Sequence, residues 1–171
     1  MMGPAQALFA GQQPLHPGET INVNGTLEFV DWIFGDPADA YLDENLNLIA
    51  PGHVLTWKLH GNIEGTYVMT ISFVFPPPWD FKSYGMVGQA VFTGEVLGKK
   101  TTWMAKLEGS GLEPNYPVFE GEETWDSTIT SATRSLSHMR GTITISGILE
   151  PESYVYTYSG GLYFEIHKNQ D

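Results

Sequence analysis

Ile63-Glu64-Gly65-Thr66-Tyr67-Val68-Met69-Thr70-Ile71-Ser72-Phe73-Val74-Phe75 alternates between two characters. Its odd positions carry Ile63, Tyr67, Met69, Ile71, Phe73 and Phe75, and its even positions carry Glu64, Thr66, Thr70 and Ser72. Successive side chains of a strand point to opposite faces, so this period predicts a β-strand with one buried, apolar face. Pro76-Pro77-Pro78 ends it, because proline brings no N–H to a sheet ladder.

The same test along the chain predicts strands at 20–34, 53–60, 63–75, 84–97, 100–109, 118–130, 139–149 and 154–167. A long connection runs from Asp36-Pro37 to Pro51-Gly52, and Gly98-Lys99 reads as a tight hairpin. Pro114 and Pro117 interrupt before the sixth strand, 131–137 reads as a short helical piece, and Gly160-Gly161 kinks the last strand. Long strands joined mainly by short turns predict an all-β chain, a single antiparallel eight-stranded β-barrel over 20–168. Closure would remove the edges that invite aggregation. Glycines at 61, 65, 85, 88, 94, 109, 141 and 147 suit the bends of a tightly curved barrel. Residues 1–19, broken by Pro4, Pro14 and Pro17, read as an irregular arm. Its Leu8, Phe9 and Leu15 suit a lid over an opening, and an unstructured start is the alternative.

Parity then sorts the side chains. Leu55, Trp57 and Leu59, Met86, Ala90 and Phe92, Trp103, Ala105 and Leu107, Trp125 and Ile129, and Ile143 and Ile145 join the inward set. Tyr154, Tyr156 and Tyr158 share one face of the last strand, as a rim or a packing stripe. A barrel of eight strands either fills its interior with side chains or holds one small ligand. In the second case Trp57, Met69, Phe73, Met86, Phe92, Trp103, Glu123 and Trp125 are the expected substrate-binding residues, apolar walls with a polar group among them.

Composition removes several classes of function. With 171 residues and 42% apolar content the chain can fill one core, and 20 acidic against 8 basic residues give a net charge of -12. Nucleic-acid binding needs clustered Lys and Arg, and docking on an anionic membrane needs the same, so neither partner is expected. The chain has no cysteine, so it has no disulfide, thiol nucleophile or thiolate metal site. Its five histidines show no metal-ligand spacing, and no metal or cofactor is expected. There is no nucleophile elbow, P-loop or dinucleotide fingerprint. The first residues lack the features of a secretory signal and no apolar run is long enough to span a bilayer, so a cytoplasmic protein is expected.

The segments Gly61-Asn62-Ile63-Glu64-Gly65-Thr66, Gly88-Gln89-Ala90-Val91-Phe92-Thr93-Gly94-Glu95-Val96-Leu97-Gly98-Lys99 and Leu136-Ser137-His138-Met139-Arg140-Gly141-Thr142-Ile143-Thr144-Ile145-Ser146-Gly147 are similar to strand pairs of a family of uncharacterised small bacterial barrels. That family resembles the allene oxide cyclase-like, lipocalin-like (calycin) architecture. The resemblance spans roughly 25–166, with Thr130-Ser131-Ala132-Thr133-Arg134-Ser135 and the proline loop at 76–78 departing from its pattern. It implies a barrel with an apolar central cavity that is often oligomeric, a homodimer being one such form. It implies no catalytic residue. Relatives of the architecture include cyclases and isomerases that shape a flexible hydrophobic substrate.

Polar residues on apolar faces are the candidates for chemistry. Asp31 shares parity with Ile21, Val23, Leu27, Phe29 and Ile33, and an inward carboxylate is costly unless paired or protonated. Val30, Trp32 and Phe34 make the opposite face apolar too, so a bulge that turns Asp31 outward is the competing expectation. His53 begins the strand expected to pair with the first, which would place it near Asp31 at one barrel mouth. Tyr67 sits among apolar neighbours, where its hydroxyl either polarises a substrate oxygen or satisfies a nearby group. The expected catalytic set is therefore Asp31, His53 and Tyr67. The function read from it is a cofactor-independent cyclase or isomerase acting on a hydrophobic small molecule, such as a natural-product intermediate. The alternative is a barrel that binds or carries an apolar ligand without chemistry.

Overall fold

The structure is a computed structural model that describes residues 18–118, 120–150 and 153–165. The expected arm lies outside these residues, apart from Gly18 and Glu19, as does the far end of the last expected strand. The elements are β1 (Thr20–Ile33), β2 (Tyr41–Leu42), β3 (Leu48–Gly61), β4 (Ile63–Phe75), β5 (Ser83–Val96), β6 (Lys99–Leu112), β7 (Gly121–Ala132), β8 (Met139–Glu150) and β9 (Ser153–Phe164). From β3 to β9 each strand pairs antiparallel with the next. β1 closes the barrel: Thr20 to Leu27 pair with β9, and Gly25 to Ile33 pair with β3. Eight long strands thus form the closed antiparallel barrel, and β2 is a short addition beside the start of β3.

Closure depends on one close approach. A Cβ on Gly25 would lie 1.9 Å from the His60 carbonyl oxygen and 2.5 Å from the Tyr158 hydroxyl, so only glycine lets β1 reach β3 there. The Tyr158 hydroxyl uses the space to accept from the Ile63 backbone N–H at 2.9 Å, tying β9 to the start of β4.

Local chemistry explains where strands differ from the sequence reading. Leu97 and Gly98 both have positive φ, 49° and 75°, as a two-residue hairpin between Val96 and Lys99 requires. The hairpin therefore lies one residue earlier than Gly98-Lys99. Pro51-Gly52 does not end the long connection. β3 begins at Leu48 and absorbs the pair in a bulge between Ala50 and His53, with Gly52 at a φ of 81°. The expected helical piece contracts to a single 3-10 turn, Arg134–Leu136, whose Leu136 joins the core.

Parity holds for most of the interior. Leu55, Trp57, Leu59, Tyr67, Met69, Ile71, Phe73, Met86, Ala90, Phe92, Trp103, Ala105, Leu107, Trp125, Ile129, Ile143 and Ile145 are buried in one core. It fails in β1. Phe29 pairs with Trp57 and Asp31 with Thr56, so Val30 is an extra residue and the alternation inverts. Trp32 turns inward, while Asp31 and Ile33 are exposed. The expectation of an inward Asp31 is corrected by this bulge.

Candidate functional site

One cross-strand row gathers the polar groups of the interior. Tyr84 on β5 lies opposite Gly111 on β6, and Gly111 lies opposite Glu123 on β7. Glu123 lies opposite Gly147 on β8, and Gly147 lies opposite Tyr156 on β9. A carboxylate therefore stands between two glycines, with a tyrosine beyond each. Missing side chains at 111 and 147 are what let the rings lean in. A Cβ on Gly111 would lie 2.3 Å from Tyr84 Cζ, and one on Gly147 would lie 2.0 Å from Tyr156 Cε1. Both tyrosines are buried, at 6% and 2% exposure, and both reach the carboxylate. Tyr156 donates to Glu123 Oε2 at 2.6 Å, and Tyr84 donates to Glu123 Oε1.

A second carboxyl joins from the segment that follows β6. Glu113 is 7% exposed, its backbone N–H donates to the Lys82 carbonyl at 2.7 Å, and its Oε1 lies 3.1 Å from the Tyr84 hydroxyl. A phenol carries one proton, so it can donate to only one of its two carboxyl neighbours. The other oxygen-oxygen contact is attractive only if that carboxyl is itself protonated. The Glu113–Tyr84–Glu123 arrangement therefore favours keeping one proton beyond those of its phenols. Electrostatics agrees in direction. Burial pushes the Glu123 carboxyl up, against the lowering effect of Tyr156 and Tyr84, and burial likewise raises Glu113, with the Glu123 charge adding to it. The Tyr84 phenol is held up by burial first and then by the Glu123 charge.

The cluster borders an aromatic pocket. A cavity of about 390 Å³ is walled by Trp32, Phe34, Phe73, Phe75, Phe81 and Tyr116, with His53, Tyr84, Glu113 and Glu123 also on its lining. No Lys or Arg lines it. A chamber of about 60 Å³ adjoins it, sharing Trp32, Phe73, Glu123 and Leu149 and reaching Trp57, Met69, Met86, Trp125 and Tyr156. The remaining interior is packed with side chains; Phe92 stacks on Trp103 with ring centroids 4.1 Å apart, and neither lines these cavities.

Of the expected catalytic residues, only His53 reaches the pocket. Its Nδ1 accepts from the Trp32 indole N–H at 3.2 Å, which leaves the ring proton on Nε2, and burial lowers its pKa. Asp31 is outside the barrel. Tyr67 lines neither cavity; its hydroxyl donates to Ser127 Oγ at 2.8 Å, and burial pushes its pKa far up. The expected convergence of Asp31, His53 and Tyr67 is not formed: the β1 bulge turns one carboxylate away, and Ser127 occupies the phenol. Trp57, Met69, Phe73, Met86, Glu123 and Trp125 do border cavity space, whereas Phe92 and Trp103 belong to the packed core. Tyr84, Glu113 and Tyr156 are the members of the cluster that sequence reasoning missed. The signal in the sequence was the inward parity of Glu123; the Tyr–Gly pairs on either side of it emerge only with the strand register.

No family profile matches the chain, and no curated protein matches it. Among solved structures the chain is similar to a protein of unknown function of the DUF3224 family from Shewanella oneidensis MR-1. Identity is 17% and the TM-score 0.60, over 86% of this chain and 100% of that one. What the two share at that identity is the fold. Among the described residues no helix is long and apolar enough to cross a membrane, and no group of His, Asp and Glu is arranged to hold a metal ion.

Proposed function

We propose that the aromatic pocket at this barrel mouth binds a hydrophobic small molecule and that the Glu113–Tyr84–Glu123 cluster exchanges a proton with it, as in a cofactor-independent isomerase or cyclase. The observation that carries the reading is the meeting of two carboxyls with one phenol, Glu113 buried and Glu123 half-buried, at the edge of an apolar cavity. Such an arrangement favours a shared proton and keeps an acid and a base together where water is scarce. His53, neutral and held by Trp32, lies on the same wall as a group that can orient a polar atom of the ligand. The resemblance to allene oxide cyclase-like barrels supports the same class by analogy of architecture alone.

The test is isotopic. The protein is purified with whatever it carries, the bound molecule is identified by mass spectrometry, and its uptake of deuterium from D₂O is followed. Wild type is expected to speed exchange by about a hundredfold or more. Glu123→Gln, saturated with the same ligand, should lose the exchange. Bound ligand with no exchange in wild type would overturn the enzyme and leave the carrier. That second reading draws on one observation, that Asp31, His53 and Tyr67 do not converge.

A further inference from the structure

We propose that the molecule taken by this pocket is a lipophilic ammonium, its cationic nitrogen set beside Glu113 and Glu123 and its hydrocarbon body on the aromatic wall. The inference rests on the pocket being a binding site and adds the chemical class of the ligand.

Two features of the lining and one of the whole molecule select a cation. The charged groups of the lining are carboxyls, with no Lys or Arg to meet an anion. Tyr84 from β5 and Tyr156 from β9 reach the pair, and His53 from β3 and Tyr116 beyond β6 share the lining; burial favours neutral His53, and Lys82, which offers its backbone carbonyl to Glu113, has an exposed side chain. A fatty-acid carboxylate would therefore enter beside like charge without a counter-ion. The walls are rich in aromatic rings, whose π-systems attract ammonium groups, and desolvation strengthens that attraction. Finally, the net charge of -12 raises the local concentration of cations around the molecule.

A retained proton relieves the repulsion between Glu113 and Glu123. An ammonium at the same place adds a positive charge that offsets the negative charge left on the proton-sharing pair.

Matched probes separate the possibilities: phenylbutylamine, phenylbutanol and phenylbutyrate, titrated calorimetrically into the protein near neutral pH at low salt. The amine is expected to bind about tenfold tighter than the alcohol, and the acid more weakly than either. Glu113→Gln and Glu123→Gln should erase the advantage of the amine and keep the alcohol. An alcohol as tight as the amine, or an acid tighter than both, overturns the cationic assignment while the pocket stands. If none of the three binds, and a neutral hydrophobic fluorophore does not bind either, the pocket reading falls with it. The wild-type comparison decides the matter even where a variant fails to fold.

Discussion

Glu123 and Glu113 illustrate how differently two carboxyls of one site are written in a sequence. Glu123 shares strand parity with Trp125 and Ile129, so its inward position can be read directly. Glu113 keeps the odd parity of Trp103, Ala105 and Leu107, but Gly109-Ser110-Gly111-Leu112 between them carries no apolar alternation from which that parity could be extended. Their pairing has a consequence for stability. Both have folded-state pKa values raised above the ordinary 4.5. Above 4.5 the native state keeps a proton that the unfolded chain loses, so this contribution is whole at acid pH and is lost as pH rises through the raised value. His53 runs the other way: its value is lowered from 6.5, so its contribution is lost as pH falls through the lowered value. Subtracting the two isolates the carboxyl pair. Urea midpoints measured against pH for wild type and Glu113→Gln should show the variant losing less stability on the alkaline side, and parallel curves would refute the shared proton.

At the scale of the element, strand parity is a strong guide until one residue is inserted. The inward faces of β4, β5, β6 and β8 follow from alternation alone. In β1 the extra Val30 inverts the pattern, so Trp32 takes the inward place that parity assigns to Asp31. Period two cannot register such an insertion when both faces are apolar, as they are around Val30, Trp32 and Phe34. Proline and glycine mislead in a similar way at Pro51-Gly52, where a bulge carries them within β3. The row of Tyr84, Gly111, Glu123, Gly147 and Tyr156 is an element-level device too, because it exists only once five strands are in register. Gly147→Ala should destabilise the barrel by about 1–3 kcal/mol, since the new methyl meets a ring that packing holds in place. Urea unfolding checks this, and an unchanged midpoint would show that Tyr156 does not need the glycine seat.

For the whole molecule, alternation and turn chemistry suffice for a closed antiparallel barrel, and its structural likeness to a DUF3224 protein is of the same kind. What they leave open is where space remains inside. Parity says which side chains point inward; only their volumes in three dimensions say that Phe92 and Trp103 fill the middle while Trp32, Phe34, Phe75 and Phe81 leave a cavity at one mouth. That cavity, with the carboxyl pair on its lining, is the centre of the account. Ala50 lies on its wall and is the natural place for a plug. Native mass spectrometry of the gently purified protein is the direct test, run on wild type and on Ala50→Trp. Wild type should retain one small molecule per barrel and the plugged variant none. A bare wild type that also refuses hydrophobic fluorophores, or a plugged variant that keeps its ligand, would contradict it.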